Sequence, residues 1–168
     1  MGTLRPFDIE IDRVAWHQLR TMSARGAEVP SALRALLDAP TGEDADKAYW
    51  RLENTVVVQG QLFEAAEAIV PVLLAAVLEQ LPRHSMILAL ELLFQIVAGD
   101  ADESEVALGN SDLGERCRIK AREGLSALYH VLIHERLSGA QEVLERIEVD
   151  QSRLDSAQAA LARDPARE

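Results

Sequence analysis

The chain has 168 residues, a net charge of −11, an apolar fraction of 48% and an aromatic fraction of only 4%. That length fits a single domain with a substantial core, and apolar content dominated by Ala, Leu and Val favours helix over strand. The acidity (pI ≈ 4.8) argues against a duplex nucleic-acid binder, because phosphate contact depends on basic patches.

In chain order, residues 1–11 read as an extended lead-in stopped by Pro6, and Asp12 caps a first helix. That helix, over 12–26, runs through Val14, Trp16, Leu19 and Met22 and is ended by Gly26. Pro30 opens a second helix with Leu33, Leu36 and Leu37 on one stripe, halted before Pro40. A third starts near Glu43 and aligns Ala48, Leu52 and Val56, with Glu43, Asp44 and Asp46 complementing its macrodipole. Gly60 reads as a helix terminator in left-handed geometry, followed by a helical turn over 62–67 and a helix over 69–80. Further helices are expected at 84–98, at 113–137 with a bend at Gly124, and at 139–148 and 151–163, with 164–168 frayed.

An internal echo organises these elements. Val29-Pro30-Ser31-Ala32-Leu33-Arg34-Ala35-Leu36-Leu37 returns 41 residues later as Val70-Pro71-Val72-Leu73-Leu74-Ala75-Ala76-Val77-Leu78. The same shift carries Ala48, Leu52 and Val56 onto Ala89, Leu93 and Val97, so both helices of a pair recur. By this analogy Pro71 opens or kinks its helix as Pro30 does, which avoids the roughly 3 kcal/mol of a mid-helix proline. A third copy, at Leu128, Val131 and Leu132, follows at an offset of 54. The 13 extra residues fall in 99–112, which holds five acids (Asp100, Asp102, Glu103, Glu105, Asp112) and no basic residue. Long loops of this kind tend to be functional or disordered. A period near 41 implies an all-α fold: a short right-handed α-solenoid of HEAT-like helix pairs. The expected single domain, 1–168, holds an N-terminal helix at 12–26 and repeats at 29–59 and 62–99. The third repeat and a C-terminal cap fill 113–163.

The stretches Ala48-Tyr49-Trp50-Arg51-Leu52, Gln59-Gly60-Gln61-Leu62-Phe63-Glu64-Ala65-Ala66 and Ile69-Val70-Pro71-Val72-Leu73-Leu74 carry a resemblance. So do Cys117-Arg118 and Glu123-Gly124-Leu125. Together, over residues 28–135, they resemble bacterial HEAT-repeat-like proteins. The resemblance implies an α-solenoid without an established catalytic activity, some relatives looking like interaction or toxin-neutralising proteins. Residues 136–168 and the acidic insertion fall outside it.

Candidate chemistry is sparse. His130 and His134 stand at i, i+4 before Glu135, as two metal ligands and a third would, but packing and surface roles suffice for them. The acids of 99–112 alternate as calcium ligands do, yet lack the glycine turn and distal glutamate of an EF-hand. Cys117 lies between Arg116 and Arg118, which would favour its thiolate, but no histidine is near in sequence. A lone cysteine cannot form an intrachain disulfide and fits a reducing compartment. No Gly-rich phosphate loop, nucleophile elbow or zinc-finger spacing occurs.

The resulting expectation is a non-catalytic protein-binding solenoid, most concretely an immunity-type protein neutralising a basic bacterial toxin domain. Contact is assigned to Asp100, Asp102, Glu103, Glu105 and Asp112, with Glu64 and Trp50. No metal, cofactor, nucleic acid or membrane is expected, and a cytoplasmic location is, since the opening residues lack a signal-peptide core. Alternatives are a structural adaptor or self-associating scaffold, as monomer or homodimer, and a HEAT-type base-excision enzyme, which the net charge opposes.

Overall fold

A computed structural model describes residues 4–164. The start of the expected lead-in and most of the expected frayed end, 165–168, lie outside the described residues. The described chain is all-helical, about 72% helix in ten helices. Among the described residues no helix is long and apolar enough to cross a membrane.

The first departure is at the N-terminus. Pro6 opens helix α1, Pro6–Asp12, instead of stopping a lead-in, because its fixed φ and missing N–H suit a first-turn position. Asp12 ends this helix, and the expected helix over 12–26 is replaced by three 3₁₀ turns, Trp16–Gln18, Met22–Ala24 and Gly26–Glu28. Phe7 and Ile11 are buried, and the Trp16 indole donates to the Ile11 carbonyl at 2.7 Å, which locks the chain as it turns.

The helix pair that follows agrees with the hydrophobic pattern. Helix α2, Val29–Leu37, has Pro30 in its first turn, and α3, Gly42–Val56, is capped by Thr41, whose hydroxyl accepts the Asp44 N–H at 3.1 Å. Leu33, Leu36, Leu37, Ala48, Leu52 and Val56 are buried as their spacing requires.

Gln59-Gly60 does not end a helix; it turns a hairpin. Both residues have positive φ (52° and 78°), the conformation of a type I′ turn, joining β1, Val57–Val58, to antiparallel β2, Gln61–Leu62. A third strand, β3, Asp100–Ala101, runs parallel to β2. This small sheet takes up the start of the expected irregular loop, and the rest of 99–112 includes helix α6, Glu103–Ala107.

Helix α4, Ala65–Ala76, begins earlier than expected, so Pro71 lies inside it. The lost hydrogen bond and ring clash cost about 3 kcal/mol. Complete burial of Ile69, Val70, Val72 and Leu73 outweighs this at about 1.5–3 kcal/mol each. The echo also fails at Leu78, which lies beyond the helix and is exposed, while its counterparts Leu37 and Leu132 are buried.

Helix α5, Arg83–Ala98, is the centre of the molecule, touching α2, α3 and α4. The expected long helix 113–137 is two: α7, Leu113–Arg122, and α8, Leu125–His134, broken around Gly124. Helices α9, Ser138–Ile147, and α10, Gln151–Arg163, close the chain. Packing runs in two rows: α1, α4 and α7 lie against one another in turn, as do α3, α5 and α9, while α4–α5, α5–α7 and α7–α9 contacts join the rows. Arginines complete exposed helix ends. Arg118 Nη1 donates to the Val97 and Gly99 carbonyls at 3.2 and 3.3 Å, and Arg122 Nε to the Ile147 carbonyl at 2.8 Å.

Candidate functional site

The seven residues assigned to partner contact are not one surface. Glu105 is the clearest correction, since it is a buried structural carboxylate with a side chain 1% exposed. Arg20 grips it bidentately, Nε to Oε1 at 2.9 Å and Nη2 to Oε2 at 2.8 Å. Asn110 Nδ2 donates at 2.9 Å and the Glu64 N–H at 3.2 Å. Burial alone would push this carboxyl up, but the bonds from Arg20, Asn110 and the Glu64 backbone outweigh it and hold the group below its ordinary value. Glu64 belongs to the same network: its Oε2 accepts the Arg20 N–H at 2.9 Å and pairs with Arg20 Nη1 at 3.1 Å. The two acids thus pin the insertion and the β2–α4 junction to the 16–28 segment. Arg20, which has no distinguishing sequence context, is the residue the pattern could not reveal.

The other acids of the insertion lie outside that network. Asp102 caps α6, its carboxylate held low by the Ser104 hydroxyl and backbone N–H. Glu103 is exposed, and Asp100, 84% exposed, stands 3.9 Å from Arg118. Asp112 pairs with Arg116 one turn on. Trp50, 56% exposed, belongs to a different place, a groove of about 590 Å³ lined by Arg25, Glu43, Asp46, Lys47, Arg51 and Asn54.

A further acidic surface crosses the outer faces of α3, α5 and α9, and the sequence reading did not single it out. Tyr49 is buried at the α3–α5 contact, and its phenol is pushed up by burial, then by the neighbouring Glu53 and Glu91 carboxylates. Glu91 Oε1 accepts from Gln95 Nε2 at 2.8 Å, whereas Glu53 Oε2 is enclosed without a hydrogen-bond partner. Half-buried Phe94 lies next on α5, with the Arg146 guanidinium of α9 5.7 Å from its ring centre and exposed Glu142 one turn before Arg146. The period-3.6 spacing of 87, 91, 94 and 98 contained part of this face, but its pairing with α3 and α9 did not follow from spacing.

The remaining candidates are the cysteine and the histidine pair. Cys117 is buried, and burial pushes its thiol up to about 12, which suppresses the thiolate. The His130 and His134 rings sit 4.3 Å apart on α8. Among the described residues no three His, Cys, Asp or Glu side chains converge to suit a metal ion. Comparison with family models, curated proteins and solved structures gave no match.

Proposed function

We propose that this chain is a non-catalytic protein-binding α-solenoid of the immunity type, which neutralises a basic toxin domain by covering it. The stacking of α1–α4–α7 beside α3–α5–α9 supports the solenoid reading, because paired rows of this kind are how helical repeats bury a continuous core. The outer face of α3, α5 and α9 is then the contact surface, and the convergence of Glu53 and Glu91 beside Tyr49 is the observation that carries this assignment. Both carboxylates act on the same Tyr49 phenol, and a Lys or Arg from a basic partner would offset their like charge at the surface. Glu91 and Glu142 reinforce the charge, while Phe94 and exposed Ile87 offer apolar contact. The exposed acids Asp100, Glu103 and Asp112 contribute only long-range steering.

The test is co-production with the product of the adjacent reading frame. Wild-type chain should relieve its toxicity, and Glu91→Lys with Glu142→Lys should abolish the relief while preserving helicity. The association rate should fall steeply with salt. Equal protection by the double variant, or an association rate indifferent to salt, refutes the reading.

A further inference from the structure

A neighbouring part of α3 carries a mixed charge pattern. Nine of the fourteen arginines among the described residues hold a carboxylate, Arg5, Arg20, Arg34, Arg116, Arg118 and Arg122 among them; Arg83, Arg146 and Arg163 hold none. Nor do Arg25 and Arg51; no described carboxylate lies within ion-pair distance of either, and both are exposed in the Trp50 groove. Arg25 is held there by an unusual piece of backbone. Ser23 and Ala24 both take left-handed φ (63° and 54°), a conformation L-residues with a Cβ avoid, and the Thr21 hydroxyl accepts the Arg25 N–H at 2.6 Å to hold the turn. This turn packs against α3. Of the two carboxylates lining the groove, Glu43 is taken by Lys47 at 2.7 Å, so Asp46 alone faces the two free guanidinium groups.

We propose that the Trp50 groove is a second docking site, which takes an acidic protein segment with an apolar side chain between two carboxylates. Arg25 and Arg51 each receive one carboxylate, and the exposed indole of Trp50 receives the apolar group. Trp and Arg are the residues over-represented where protein contacts are strongest. Charge complementarity selects the occupant: in a chain of net charge −11, two cations that line one groove and hold no carboxylate attract carboxylates there. Asp46 in the groove and the surrounding negative field disfavour a polyphosphate chain, whose charges are closely spaced. The inference does not rest on the basic-partner reading, since it uses other residues, Arg25, Trp50 and Arg51.

Selection of short random peptides displayed on phage, on immobilised wild-type protein and counter-selected on a Trp50→Ala/Arg51→Glu variant, tests it directly. Enriched sequences should hold an apolar residue flanked by Asp or Glu. The synthetic peptides should lose at least about tenfold in affinity to Trp50→Ala, to Arg25→Glu and to Arg51→Glu. All three side chains are exposed, so unchanged circular dichroism is expected and separates lost binding from lost fold. Enrichment of basic or neutral peptides, or no groove-dependent enrichment, overturns the proposal. So does oligothymidylate binding abolished by Arg25→Glu, or self-association abolished by Trp50→Ala, each of which assigns the groove to another occupant.

Discussion

Replacing Arg20 with Met leaves Glu105 buried with its charge but without its counter-ion. The carboxylate then keeps only the neutral donors of Asn110 and the Glu64 backbone. Two charge-assisted bonds at about 1.5–3 kcal/mol each are lost, and breaking one side of a buried pair costs about 3–5 kcal/mol. The Arg20 side chain is 42% exposed, so solvent already screened part of the attraction, and the expected cost is near the lower end, about 3 kcal/mol. Glu105→Gln is milder, about 1–2 kcal/mol, because the amide stays neutral while Arg20 turns to water and to Glu64. The pH dependence has a definite sign. In the wild type the Glu105 carboxyl is held below its unfolded value of about 4.3, so its contribution is present above that value and lost as pH falls through the folded one. In Arg20→Met burial dominates and raises the group, so folding takes up a proton and acid relieves the stranded charge. Urea unfolding followed by circular dichroism should therefore show the gap between wild type and Arg20→Met narrowing from about pH 7 to about pH 4.5. A gap below about 1 kcal/mol at neutral pH, a gap that widens in acid, or an equal cost for Glu105→Gln refutes the reasoning.

Two further substitutions probe the packing. The Ser85 hydroxyl is fully buried in α5 without a hydrogen-bond partner, so Ser85→Ala should stabilise the protein by about 1 kcal/mol, read as a higher urea midpoint at constant slope. A Cβ on Gly114 would stand 2.7 Å from the Gly99 carbonyl oxygen, where α7 meets β3, so Gly114→Ala should lower stability by about 1–3 kcal/mol in the same assay. Unchanged stability in either case contradicts the local geometry described.

Helical character was legible in the sequence because it is a local property. The spacing of Leu33, Leu36, Leu37, Ala48, Leu52 and Val56 fixes which face of α2 and α3 is apolar, and those residues are buried. Proline was legible only as punctuation. Pro30 opens its helix, but Pro6, read as a stop, opens one too, and Pro71, read as an opening or a kink, sits inside α4 where surrounding burial exceeds its cost. Gly60 was read as left-handed, as it is, and Gln59 is left-handed too; whether such a turn ends a helix or joins strands depends on what pairs beyond it, here β3 from 40 residues later.

The charged surface divides in the same way. The acidic interruption of the repeat was visible as composition, but composition does not separate a solvated carboxylate from a buried one. Asp100 and Glu105 look alike in the chain and differ because Arg20, 85 residues before Glu105, reaches one of them. The α3–α5–α9 face and the Trp50 groove depend likewise on which helices become neighbours. Periodicity and composition alone determined that this chain forms amphipathic helices, since each stripe is set by residues three and four apart. Only the tertiary structure decided which charges are spent holding the fold and which remain unpaired, because ion pairing follows distance in space.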